Sequence, residues 1–216
     1  MLRLDGVDVS IQSVSIVRGV NMDVPTGKFV GLIGRNGAGK TTLMRSVIGI
    51  LPLRQGTMTF EGSPLADIPP HQRARNGIGY MPEDRRLVPT LTVEENVLIP
   101  AWSAGVADPR QRLAGVYKMI PEVEAFADRK ALQLSGGQQK LVALARALMC
   151  GTKLLLLDEP FEGVAPVLAH RLAEVIAGLK QQGLSIILTE SDLSHSREML
   201  DTVYTIDRGE VSVAAL

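Results

Sequence analysis

Apolar and polar residues alternate in several places between Leu2 and Val24 (Leu2, Leu4; Val7, Val9; Val20, Met22, Val24), the period of half-buried antiparallel strands. Thr57 to Glu61, bracketed by Gly56 and Gly62, predicts another short strand, and Ile78 to Met81 a further one stopped by Pro82. Phe29 to Ile33 is short, apolar and strand-like, and Lys40 to Gly49 after it reads as a helix. Thr92-Val93-Glu94-Glu95 forms a capping box that starts a helix through about Leu98, and Pro109 to Ile120 and Ser135 to Met149 predict two more. Leu154 to Leu157 and Ser185 to Leu188 are apolar runs of the length of buried parallel strands. Between them Val167 to Gln182 is amphipathic and ends at Gly183 as a C-terminal cap. Two late strands, Thr202 to Asp207 and Glu210 to Ala214, flank an Arg208-Gly209 turn. This order predicts a single α/β domain over residues 1–216. Its core, 1–83 and 142–216, is a mostly parallel sheet with an antiparallel β flank, and a helical subdomain, 84–141, is inserted into it.

Composition narrows the setting. The 216 residues suit one compact domain. The 23 basic and 23 acidic side chains cancel, which argues against a nucleic-acid surface. The single cysteine, Cys150, has no internal disulfide partner and suits a reducing cytosol, with a role in helix-end packing. No apolar run approaches the roughly 20 residues of a membrane-spanning helix, and MLRLDGVDVS lacks a signal-peptide apolar region, so contact with a membrane is expected through a partner protein. Aromatics make up only 4%, which predicts a mainly aliphatic core.

The chemistry starts at GRNGAGKTT, Gly34 to Thr42, which matches the phosphate-loop pattern G-x-x-x-x-G-K-[ST]. Gly34, Gly37 and Gly39 let backbone N–H groups turn inward without a Cβ in the way, and Arg35, Asn36, Ala38 and Thr42 complete the wrap. The helix beginning at Lys40 turns a partial positive charge toward the same point. Lys40 is placed to neutralise β and γ phosphates and Thr41 to offer its hydroxyl to Mg²⁺. Leu154 to Leu157 deliver Asp158 and Glu159 to the carboxyl end of a buried strand, where ligands of open α/β sheets bind. Asp158 is expected to hold Mg²⁺ through a water and Glu159 to polarise the attacking water. Ser135-Gly136-Gly137-Gln138 opens a helix with Ser135 as its N-cap.

GRNGAGKTT, LSGGQQK (Leu134 to Lys140) and LLLLDEP (Leu154 to Pro160) stand in the order and spacing of the ATP-binding cassette (ABC) ATPases, and the chain resembles that family from about Arg3 to Val213. The resemblance implies a P-loop NTPase fold, ATP and Mg²⁺ as ligands, and head-to-tail pairing with a second cassette, identical or different. In such a pair, Ser135, Gly136, Gly137 and Gln138 address the γ-phosphate held by the other subunit. MPEDRR, LTVEEN, LSGGQQK and DEPFEGVAP look like the ATP-binding subunits of importers for branched-chain amino acids, urea and related amides. That implies permease partners and a peripheral place on the cytoplasmic face of the inner membrane.

Several positions depart from the common pattern. Glu83 stands where most members have glutamine and offers Mg²⁺ a carboxylate. No aromatic lies near Ser10 and Ile11 to stack on adenine, so the base is expected on aliphatic surface. Ser191 occupies the place of a γ-phosphate-sensing histidine, with His195 one turn on as either a substitute or a surface residue. Ala165 replaces a common aspartate. Slow hydrolysis is therefore expected, and a degenerate cassette regulating a better-equipped partner is the alternative reading. Trp102 is either an interface residue, in the region that receives a permease helix in related transporters, or an anchor of the helical lobe's own core. The Arg85-Arg86 pair is either solvated or in contact with that partner.

Overall fold

A computed structural model describes residues 1–214. The opening alternation becomes a hairpin of β1 (Leu2–Ile11) and β2 (Val14–Val24), which turns at Gln12 with φ 55°. The register is Leu2 opposite Val24 and Leu4 opposite Met22, so the apolar set of both strands shares one face. Next come β3 (Phe29–Ile33), α1 (Lys40–Val47), β4 (Gln55–Phe60) and the two-residue β5 (Ser63–Pro64). Helix α1 stops at Val47, two residues short of the expected Gly49, because Gly49 takes a left-handed φ of 82° that leaves the helix. Strands β2, β1, β4 and β5 form one antiparallel sheet in that order.

The short α2 (Pro70–Arg73) and β6 (Ile78–Met81) lead into the helical section: α3 (Val93–Ala104), α4 (Pro109–Met119), α5 (Pro121–Glu124) and α6 (Gly136–Leu148). Helix α3 has the expected capping box, in which Glu95 N–H bonds to Thr92 Oγ1 and Thr92 N–H to Glu95 Oε2. It runs six residues beyond the expected end at Leu98. Pro100 sits inside it and removes one intrahelical bond. Burial of Val93, Val97, Leu98, Ala101 and Ala104 on one side outweighs that loss, and the helix stops only at Gly105, with φ 67°.

The rest of the chain is β7 (Leu154–Asp158), α7 (Pro166–Leu179), a 3₁₀ turn at Lys180–Gln182, β8 (Ser185–Glu190), β9 (Thr202–Asp207) and β10 (Glu210–Ala214). The main sheet has the order β10-β9-β3-β8-β7-β6, parallel from β9 to β6, with β10 added antiparallel at the edge. Its central strands β3, β7 and β8 are buried on both faces, which is why they read as continuous apolar runs rather than as alternation. On β7, Leu155 and Leu157 face one core cluster, with α3, α4, α6 and α7. Leu154 and Leu156 face the other, which α1 and the antiparallel sheet share.

Candidate active site

Three strand ends converge on one point. Strand β3 ends at Ile33, and Gly34 N–H bonds to the Glu190 carbonyl at 3.1 Å, tying the glycine loop to the end of β8. A Cβ on Gly34 would lie 2.3 Å from the Ile206 carbonyl oxygen, so only glycine fits. Gly37 and Gly39 take φ 82° and 115°. The loop from Gly34 through Arg35, Asn36, Gly37, Ala38 and Gly39 then delivers Lys40, Thr41 and Thr42 as the first turn of α1. No side chain caps that N-terminus and no acidic residue lies in its first turn. Its amides and dipole are therefore suited to an anion.

A cleft of about 420 Å³ opens over this turn, with Asn36, Gly37, Gly39, Lys40, Thr41, Thr42, Glu83 and Glu159 among its walls. Ile11 and Ile16 supply an aliphatic side, and Ile11 is 43% exposed. Lys40 is buried beneath. Its Nζ lies 2.9 Å from Glu159 Oε1 and 3.1 Å from the Arg35 carbonyl oxygen, and it also bonds to the Gly34 carbonyl. The side chains of Lys40 and Glu159 are only 5% and 7% exposed.

Asp158, at the end of β7, is fully buried. Its Oδ1 accepts from Thr41 Oγ1 at 3.1 Å and Thr189 Oγ1 at 2.9 Å, and its Oδ2 from the Tyr80 hydroxyl at 3.1 Å. Burial still pushes the Asp158 carboxyl above the ordinary range. Tyr80 is also raised, by burial and then by the Asp158 charge. Burial raises Glu83 too, with Glu162, Asp158 and Glu159 adding repulsion. Such crowding of carboxylates beside a hydroxyl suits a hard cation. Among the described residues no three His, Cys, Asp or Glu side chains form a cage. A magnesium ion held by one or two carboxylates together with substrate phosphates needs none.

The Ser191 hydroxyl lies 3.2 Å from Asn36 Oδ1 and 3.4 Å from Glu159 Oε1, directly above the carboxylate. His195 turns elsewhere: its ring stacks on Phe161 with centroids 5.0 Å apart, and its Nδ1 is 3.6 Å from Glu190 Oε1. Ser135 caps α6 with a reciprocal Ser135–Gln138 capping box, as the sequence predicts. Neither these two residues nor Gly136 and Gly137 are walls of the cleft. The fold thus brings the glycine loop, Glu83, Asp158 and Glu159 together and leaves the α6 N-terminus to face something else.

Three side chains of the site escaped sequence reasoning. Tyr80 and Thr189 bind Asp158. Lys140, 3% exposed, donates from Nζ to the Glu159 carbonyl at 2.6 Å. Burial, helped by Arg85, lowers the Lys140 pKa, while Glu162, Glu83 and Glu159 oppose the shift. The one available signal was a lysine on the otherwise apolar face of α6. Arg85 and Arg86 both have positive φ, and their carbonyls are held by Arg146. Arg86 pairs with Asp84 at 2.9 Å, while Arg85 reaches the Gly136 carbonyl at 3.4 Å. Trp102 is 55% exposed and so does not anchor the helical core.

The ABC transporter family profile matches residues 17–162. The chain is 33% identical to the high-affinity branched-chain amino acid transport ATP-binding protein BraG of Pseudomonas aeruginosa, over 98% of this chain and 91% of that one. It is 32% identical to the lipopolysaccharide export system ATP-binding protein LptB of Haemophilus influenzae, over 98% of this chain and 88% of that one. The solved dimeric structure of a bacterial ABC transporter cassette superposes with a TM-score of 0.88 at 25% identity, covering 98% of this chain and 97% of that one. A phosphate loop, a strand ending in Asp-Glu and a capped helix carrying LSGGQ on this fold define an ATP-binding cassette. The chain belongs to the ABC transporter family and is an ABC ATPase subunit.

Proposed function

We propose that the chain binds MgATP in the cleft above α1 and hydrolyses it to power import of a small polar solute, a branched-chain amino acid or a urea-type amide. The observation that carries the catalytic part is the convergence of Lys40, Thr41, Asp158 and Glu159 on one uncapped helix N-terminus. The polyphosphate lies on the amides of Gly34, Arg35, Asn36, Gly37, Ala38, Gly39, Lys40, Thr41 and Thr42, and the adenine rests on Ile11 and Ile16. Lys40 exchanges Glu159 for the β and γ phosphates. Held at Thr41, Asp158 and Glu83, a magnesium ion would neutralise charge on the transferring group. Once Lys40 has moved, the Glu159 carboxylate accepts a hydrogen bond from a water and orients it in line with the γ-phosphorus. Oxygen attack and departure of ADP then yield inorganic phosphate.

The helix bearing Ser135, Gly136, Gly137 and Gln138, on the 84–141 lobe and its continuation, caps the nucleotide of a second cassette, identical or different. The similarity to a dimeric cassette supports this arrangement. A permease docks in a second groove, about 440 Å³, between α1, β6, α3 and α6. Its walls include Ile48, Ile99 and Pro100, with Arg45 and Arg86 as the charged groups at its edge, while Arg73 and Arg146 are bonded to backbone carbonyls. That rim suits an amphipathic helix with carboxylates. No helix among the described residues is long and apolar enough to cross a membrane. The chain's place is then the cytoplasmic face of the inner membrane, peripheral, through that permease. The strings MPEDRR and DEPFEGVAP support import, while the comparable similarity to an export ATPase makes direction the part to test.

Two measurements test the proposal. Glu159→Gln keeps the carboxylate's shape and removes its charge, so it should retain ATP, stop turnover and elute as a dimer in MgATP on size exclusion. A variant that stays monomeric at high MgATP refutes the sandwich. In the source organism, Glu159→Gln should abolish uptake of labelled leucine, valine or urea. Unchanged uptake of all three refutes the solute assignment.

A further inference from the structure

Glu159 holds a left-handed backbone, with φ 47°, which an L side chain resists. Two side chains grip its peptide groups. Thr189 Oγ1 accepts from its N–H at 3.0 Å, and its carbonyl accepts from Lys140 Nζ at 2.6 Å. The turn that follows adds Glu162 N–H to the same carbonyl, at 3.3 Å. Lys140 lies one turn into α6, behind the Ser135–Gln138 capping box, and its buried side chain reaches the carbonyl just past the end of β7. A buried ammonium is a poor choice for packing alone, because a methionine of similar length fills the space without desolvating a charge. The cation is explained by what it holds: the carbonyl of the one residue whose carboxylate faces both Lys40 and Ser191.

We propose that Lys140 is a positioning residue for hydrolysis, clamping the left-handed Glu159 peptide so that the carboxylate stays aimed at the attacking water and tying α6 to turnover. The inference rests on the catalytic assignment of Glu159 made above. Without the clamp the 159 peptide relaxes toward negative φ and the carboxylate swings off line. A displacement of about 1 Å at a reacting group costs on the order of a hundredfold in rate. The polyphosphate contacts proposed above lie on α1 and its loop and the adenine contacts on Ile11 and Ile16, and Lys140 bonds to none of them; its Nζ bonds to the Glu159 carbonyl.

A double-mutant cycle on the purified full chain tests this, using steady-state phosphate release and equilibrium titration with a fluorescent ATP analogue. Lys140→Met should lower kcat roughly ten- to a hundredfold with nucleotide affinity within about twofold of wild type. In the Glu159→Gln background the same substitution should change the residual rate by less than about twofold, because the group it positions is already disabled. Equal losses in both backgrounds, an unchanged kcat, or a raised KM at unchanged kcat would overturn the proposal. Glu159→Gln hydrolysing at the wild-type rate sinks the assignment beneath it, and that single variant is read first. Thermal unfolding checks each protein. If Lys140→Met does not fold, Lys140→Gln, a neutral donor of shorter reach, runs through the same cycle under the same criteria.

Discussion

Lys40→Met separates two jobs of one ammonium, the pairing with Glu159 seen in the structure and the phosphate binding proposed above. The substitution keeps the aliphatic stem and deletes the charge. In the folded chain the first consequence falls on the Glu159 carboxylate, 7% exposed, whose one ion pair among the described residues is with Lys40, at 2.9 Å. Removing one member of a buried pair leaves an uncompensated charge, which costs about 3 kcal/mol at the low end of such cases. For a domain of this size that is a fall in melting temperature of roughly 6–12 °C. The second consequence falls on ATP. Loss of a charge-assisted bond to phosphate, with the freed Glu159 now repelling the γ-phosphate, costs about 3 kcal/mol of binding, or roughly 150-fold in affinity. The double variant Lys40→Met/Glu159→Gln should regain most of the lost melting temperature while binding nucleotide more weakly than Glu159→Gln alone. Differential scanning fluorimetry without nucleotide and titration with a fluorescent ATP analogue measure the two effects. A Lys40→Met protein that melts with the wild type, or that binds the analogue as tightly, would falsify this account of the pair.

Two further outcomes are expected. Ser191→His places an imidazole beside Asn36 and Glu159, within reach of the transferring phosphoryl group, and should raise steady-state phosphate release at least a few-fold, whereas His195→Ala, away from the cleft, should leave it unchanged. Loss of turnover in His195→Ala alone would reassign the sensor. Burial raises the Glu190 carboxyl to about 7, against a Ser196 hydrogen bond that opposes the shift. Because the folded value lies above the unfolded one, its contribution is fully present below about pH 4.5 and is lost as pH rises through about 7. Glu190→Gln should therefore remove up to about 3 kcal/mol of that decline between pH 5 and 8, and parallel melting curves for the two proteins across this range would refute it.

The parts of the site legible in the sequence are those written locally. Phe29 to Thr42 and Leu154 to Glu159 each carry strand, turn and chemistry within a short stretch, and Ser135 and Thr92 announce their helices through side chains three residues apart. The rest needed distance. Tyr80 meets Asp158 across 78 residues, and a tyrosine in an apolar strand shows nothing of where its hydroxyl ends. Lys140 reaches Glu159 only because α6 lies along the face of the sheet. The length of α3 was hidden by Pro100, a helix breaker overruled by the packing of its neighbours. Thr202 to Asp207 has a strand's pattern, yet its insertion between β10 and β3 depends on the whole sheet.

The division of the interior by the six-stranded sheet bears on the order in which the molecule opens. Helix α1 and the glycine loop share a core with the antiparallel sheet, whereas α3, α6 and α7 share the other, and only the strands belong to both. Each layer can therefore loosen against a common plate without dissolving its counterpart. In native-state hydrogen exchange the amides of β7 and β8, fenced on both faces, should be the last to open, and the two flanking layers should exchange as separate cooperative units. On the proposed function, the loop assigned to phosphate and the helix assigned to a neighbouring subunit would then have independent lifetimes. Such a cassette would lose its hold on a partner while its grip on nucleotide persists.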